Sequence, residues 1–151
     1  RSAGKPWILD IGGDGPQRGE LEALTKSLGV EEQVRFHGFR DDVESWMGSA
    51  DCLLFPSFDE GMPLTLMQGI RVGIPVLASD IRPVRDLVGD GKGLLAAGDA
   101  KSWAECLSSI VKRGEGGSVF DPGRVPSTGQ MSRETARHYA RVLGLGTGER
   151  L

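Results

Sequence analysis

"CLLFPSFDEGMPLTLMQG", Cys52 to Gly69, decides the fold. The apolar run Cys52–Phe55 reads as a buried strand stopped by Pro56, and Pro63 at a first helical position opens a helix that runs to about Val72. A strand that feeds a helix through a short turn is half of a β-α-β unit. In parallel sheets ligands meet the carboxyl ends of the strands, where such turns lie. Gly61 permits close backbone approach. The amides of Leu64 and Thr65 at the helix head, with the positive end of the dipole behind them, favour an anion such as a diphosphate. Glu60 can accept hydrogen bonds from hydroxyls, and Gln68, one turn beyond Leu64, reaches toward the same space. Taken singly, Glu60 reads equally well as a solvated capping carboxylate and Gln68 as a surface amide.

Outward from this unit the same grammar repeats. "WILDI" (7–11) reads as a strand followed by a helix that Pro16 opens, Leu21, Leu24 and Leu28 stripe, and Gly29 closes. "QVRFH" (33–37) is the next strand, with Asp41 or Asp42 as the cap of a helix carrying Val43, Trp46, Met47 and Ala50. "PVLAS" (75–79), the short helix "PVRDLV" (83–88) and "GLLAA" (93–97) follow, and Asp99 caps a helix holding Trp103, Cys106, Leu107, Ile110 and Val111. Repeated β-α units predict an α/β fold with a doubly wound parallel sheet. Its domain spans residues 1–113. Residues 114–130, with five glycines and two prolines, read as an extended connector, and 131–151 as a C-terminal helix with Ala136, Tyr139, Ala140 and Leu143 on one side.

With 151 residues, 38% hydrophobic, the chain holds one ordinary domain with a core. A net charge of −3 with Lys and Arg spread along the chain leaves no basic field for nucleic acid. Cys52 and Cys106 sit in apolar patterns and read as buried free thiols of a reducing compartment. No apolar stretch approaches the roughly 20 residues that span a bilayer, and the first residues lack a secretory signal. The chain is therefore expected to be cytoplasmic, with room for weak peripheral membrane association of a parent enzyme. His37 and His138 read as structural, so no metal is expected.

Strand ends select three further places: Gly12–Pro16, Gly38–Arg40 and Ser79–Arg85. Gly12, Gly13 and Gly15 do not fit G-x-G-x-x-G, since the third position from Gly13 is Arg18. "LDIGGDG" is similar to the first motif of S-adenosylmethionine methyltransferases, although Pro16 removes an amide where the ligand would sit. A turn made only for its geometry accounts for these glycines equally well.

From Leu9 to Leu95 the chain resembles the C-terminal, donor-binding half of retaining glycosyltransferases of the two-Rossmann-domain, GT-B type. The matching segments occur in order: "GGDGP", "LGVEEQVRFHGF", "SADCLLFPSFDEGMPLTLMQG", "GIPVLASD" and "GLL". The resemblance implies that Glu60 binds hydroxyls of the transferred sugar and is the catalytic-site carboxylate. It implies that the amides of Met62, Leu64 and Thr65 beside Gly61 hold sugar and diphosphate, that position 68 binds the ribose, and that Gly12, Gly13 and Gly15 lie against the nucleotide. Gly38, Phe39 and Arg40 would neighbour the base. Gln68 departs from the family, which has a second glutamate there. A neutral amide in place of a charged acceptor leaves three outcomes open: a donor affinity lower by about an order of magnitude, an altered donor choice, or plain tolerance.

The resemblance further implies a donor substrate that is a nucleoside diphosphate sugar with no separate cofactor, a glycan or lipid-linked acceptor, and work in polysaccharide biosynthesis. The family's opening strand and helix, with an Arg and a Lys that neutralise the diphosphate, and its N-terminal partner domain would precede Arg1. The chain is then a fragment expected not to turn over alone, because the reaction occurs between two domains. Two other readings stand beside this one. A methyltransferase would need an acidic residue closing the strand that contains Phe36, and His37–Phe39 offers none before Asp41. A non-catalytic nucleotide-sugar-binding or scaffolding module would keep the fold, with Gln68 in its favour.

Overall fold

The computed structural model describes residues 7–91, 93–113 and 120–142. Among them, short strands alternate with helices: β1 (Leu9–Gly12), α1 (Arg18–Leu28), β2 (Val34–Gly38), α2 (Val43–Met47), β3 (Leu53–Phe55), α3 (Leu64–Val72), β4 (Val76–Ser79), α4 (Arg82–Val88), β5 (Leu94–Leu95) and α5 (Ala100–Arg113). A 3₁₀ turn at Pro122–Arg124 precedes α6 (Thr128–Val142). The named strands pair in parallel, as the α/β reading expects. They form two sheets, β1-β2 and β3-β4-β5, with no ladder joining β1 to β3 among the described residues.

Burial explains why β4 reads as one continuous apolar run. It lies between β3 and β5, and Val76, Leu77, Ala78 and Ser79 are all buried. In β1 and β2, half-buried and exposed residues alternate instead, so each sheet face meets different surroundings. Arg18 of α1 lies over Phe36, whereas Trp46 of α2 stands against His37. Because successive strand residues point to opposite faces, α1 and α2 cover opposite sides of β2. The core gathers Phe55, Leu66, Met67, Ile70, Val76, Ala78, Val84 and Val88 around α3, β4 and α4. Gly69 belongs to that packing, since a Cβ there would run into the Leu53 side chain.

The helix ends follow the sequence in two places and depart from it in others. Gly29 closes α1 with φ +64°, and Asp99 accepts from the Ser102 amide at 3.3 Å to cap α5. Asp42 precedes α2 but makes no side-chain cap, because its carboxylate is taken by Arg40. That helix also ends at Met47, short of Ala50. The connector reading fails at its C-terminal part: Phe120 and Val125 are buried in the main core cluster, and Arg71 and Arg124 bind the carbonyls of Pro126 and Val88. α6 then starts at Thr128, within the stretch read as connector. Residues 114–119 and Leu143 lie outside the described residues, as do the side chains of Val111, His138 and Ala140. Both cysteines are free. Burial pushes the Cys52 thiol up to about 11. No helix among the described residues is long and apolar enough to cross a membrane.

Candidate functional site

The carboxyl ends of β1 and β2 are tied together by their glycines. The register slips between Ile11 and Gly12 so that Gly12 faces Gly38, and the Gly13 amide donates to the Gly38 carbonyl at 2.7 Å. Gly13 and Gly38 have φ of +104° and +68°, a left-handed backbone that a side chain would strain. At Gly12 the reason for glycine is contact: a Cβ would sit 2.5 Å from the Trp46 ring. Gly13 and Gly15 have open space beside them, and the Gly15 amide is held by Asp14 at 2.8 Å.

Around this turn the polar groups are already engaged. Arg40 forks onto Asp42 with bonds of 2.9 and 2.6 Å and lies 5.0 Å from the Trp46 ring centroid. The hydrogen bond from Arg40 holds the Asp42 carboxyl below its ordinary range. His37 bonds Asp10 at 2.6 Å beneath the edge of Trp46. Phe39, by contrast, is 87% exposed, a free ring at the mouth of β2.

The β3-α3 loop supplies the other half. Ser57 Oγ donates to Glu60 Oε1 at 2.7 Å, and both residues are half-buried. Pro63 has φ −79° and ψ 68°, an inverse γ-turn in which the Leu64 amide donates to the Met62 carbonyl at 2.8 Å. Leu64 is therefore not one of the free amides the sequence suggested. The amide of Thr65, one residue further on and exposed, has no acceptor among the described residues and supplies the open helix head instead, whereas Leu66 is fully buried. Gly61 has nothing within 4 Å of a would-be Cβ, Met62 and Leu64 expose their side chains, and Gln68 is half-buried without a hydrogen bond among the described residues.

At the end of β4, Arg85 clamps both oxygens of Asp80, and that hydrogen bonding lowers the Asp80 pKa. A cavity of about 460 Å³ opens next to Met62 and Pro63, between α3, α4 and α6, with Met67, Leu87 and Met131 in its walls. Neither Glu60, Thr65 nor Gln68 lines it, so the cavity and the candidate site are neighbours that meet at residues Gly61–Pro63. Ser57 carried no role in the sequence reading. A hydroxyl three residues ahead of a carboxylate in a tight loop was the available signal. Among the described residues no group of three or more His, Cys, Asp or Glu side chains is placed to hold a metal ion.

Parallel strands linked by helices, with a glycine turn, an acidic loop and a helix head at their carboxyl ends, define a domain of the doubly wound α/β type. The family model described as "Glycosyl transferases group 1" matches residues 1–113, and the chain belongs to that family. It is 38% identical over 133 residues to the lipopolysaccharide glucosyltransferase WaaG of Escherichia coli K12, covering 88% of this chain and 33% of that protein. It is 30% identical over 131 residues to the lipopolysaccharide core biosynthesis glycosyltransferase LpsE of Rhizobium meliloti, covering 85% of this chain and 38% of that protein. The fold is that of Anabaena HepE, crystallised in complex with UDP-glucose, with a TM-score of 0.76 at 20% identity over 89% of this chain and 41% of that one. The chain thus spans well under half the length of each of these proteins. Membership of this family removes the methyltransferase reading of Gly12–Gly15.

Proposed function

We propose that this chain is the donor-binding part of a retaining, nucleotide-sugar-dependent glycosyltransferase that transfers a hexose or related sugar to a glycan or lipid-linked acceptor in polysaccharide biosynthesis on the cytoplasmic side. The observation that carries the reading is the loop between β3 and α3. There the Glu60 carboxylate precedes a helix head whose exposed Thr65 amide is unoccupied, in a chain of the group 1 family. Glu60 takes hydroxyls of the transferred sugar. The Thr65 amide and the dipole of α3 take the charge that builds on the leaving diphosphate. Gly13 and the Gly38–Arg40 segment take the nucleoside, with Phe39 as its exposed apolar surface. The acceptor site and further phosphate-neutralising cations belong to the rest of the parent protein, including its N-terminal domain.

Titration of the ¹⁵N-labelled 151-residue chain with UDP and UDP-glucose tests this reading. Amide shifts are expected at Gly13, Glu60 and Thr65, and silence at millimolar ligand overturns it. Gln68→Glu is expected to raise the affinity about tenfold, since a charged acceptor replaces a neutral one toward the ribose hydroxyls.

A further inference from the structure

We infer that Ser57 is a positioning residue for the Glu60 carboxylate, and that through this bond the chain distinguishes a nucleotide sugar from the bare nucleotide. The inference rests on the role proposed above for Glu60. The loop from Pro56 to Pro63 is fixed at both ends, by buried Phe55 at the close of β3 and by buried Pro63 ahead of α3. Near its middle the Phe58 ring rests on the turn at Gly98, where a Cβ would lie 3.1 Å from the ring. Backbone anchors do not orient a glutamate, whose side chain samples several rotamers unless something holds the carboxylate. The Ser57 hydroxyl does so, at a distance in the short range of hydroxyl-to-carboxylate bonds, and both residues are half-buried.

The geometry divides the work between the two carboxylate oxygens. Oε1 accepts from Ser57, while Oε2 has no partner among the described residues and is left for a ligand hydroxyl. A sugar hydroxyl then meets an acceptor already in place, so little side-chain freedom is lost on binding. The diphosphate contact proposed for this site comes from the Thr65 amide at the head of α3, which Ser57 does not touch. Loss of the serine hydroxyl should therefore weaken the sugar contribution and leave the nucleotide contribution alone.

Isothermal titration of the 151-residue chain with UDP and with UDP-glucose separates the two. In Ser57→Ala the preference for UDP-glucose over UDP is expected to fall roughly tenfold, with UDP affinity unchanged within about twofold. Ser57→Thr, which keeps the hydroxyl, is expected to retain most of the preference. Ser57→Ala combined with Glu60→Gln should be no worse than Glu60→Gln alone, since the two residues act as one unit. If Glu60→Gln abolishes the preference while Ser57→Ala keeps it, the positioning role is wrong and the role of Glu60 stands. If Ser57→Ala weakens UDP and UDP-glucose by the same factor, Ser57 only supports the loop and the inference is overturned. A wild-type chain that binds UDP-glucose no better than UDP removes the sugar-binding role of Glu60 and this inference with it.

Discussion

Helix α3 leaves Leu66, Met67 and Ile70 at 0%, 3% and 1% exposure, whereas α1, striped with leucines at the same kind of spacing, leaves Leu21, Leu24 and Leu28 at 42%, 50% and 66%. Both helices follow an apolar strand and both end in a left-handed glycine, Gly73 and Gly29. The difference lies in what surrounds them. α3 is enclosed by β3, β4 and the returning Phe120–Val125 segment, whereas no residue of α1 is buried. Periodicity states which face of a helix is apolar, and long-range neighbours decide whether that face is covered. The β3-α3-β4 half accordingly provides the rigid frame for Ser57, Glu60 and Thr65. The β1-α1-β2 half provides a glycine ledge held by local bonds.

Truncating one leucine in each helix tests that contrast most strongly. Leu66→Ala removes a fully buried side chain from the centre of the cluster and is expected to cost about 2–5 kcal/mol. Leu24→Ala, on the exposed face of α1, is expected to stay within about 0.5 kcal/mol. Urea denaturation of the two variants measures both. Equal losses would mean that α1 is packed in solution far more tightly than α3's partner positions suggest.

Glycines of the two site halves offer a smaller contrast. Gly12→Ala drives a methyl into the Trp46 ring, which is also packed against His37 and Arg40, and is expected to cost about 1–3 kcal/mol. Gly61→Ala meets no atom within 4 Å, so the folded chain should tolerate it with little change in thermal midpoint. Its effect is expected on UDP-glucose affinity, because the methyl occupies the space where a ligand approaches the β3-α3 loop. A Gly61→Ala chain with unaltered binding would place the ligand elsewhere.

Much of this was legible in the sequence because it depends on neighbours close in the chain. Apolar runs set the strands, Gly29 and Asp99 set helix ends, and Glu60 and Gly61 fell where a strand end turns into a helix. What was missed involves competition or distance. Asp42 had two local partners and chose the Arg40 guanidinium over the helix cap. The Leu64 amide was lost to a γ-turn that depends on the ψ of Pro63, which composition does not specify. Phe120 and Val125 are isolated apolar residues in a glycine-rich stretch, so no period marks them, and only contact with residues far away in the chain makes them core. The glycosyltransferase resemblance pointed to candidate segments in order along the chain but said nothing about the Ser57 bond.

Two aspartate–arginine pairs carry the same chemistry on the two halves, and acid should separate them least. Arg40 lowers the pKa of Asp42 beside β2, and Arg85 lowers that of Asp80 at the end of β4, in each case chiefly through the hydrogen bond. A carboxyl whose folded pKa lies below its unfolded value of about 3.9 contributes stability that is fully present above that value and is lost as pH falls through the folded pKa. Neither pair should therefore change stability between pH 8 and about pH 5, and both should weaken below about pH 4. The Asp80 side chain is 30% exposed beside an Arg85 at 53%, and Asp42 is 55% exposed beside an Arg40 at 28%, so water and salt screen the two pairs alike. Arg85→Gln and Arg40→Gln are accordingly expected to flatten the acid limb of the urea midpoint by similar small amounts that shrink in 1 M salt. Should Arg40→Gln have the larger effect, the β1-β2 ledge depends on its charge clamp, and the division between a packed half and a locally bonded half would have to be redrawn around Trp46.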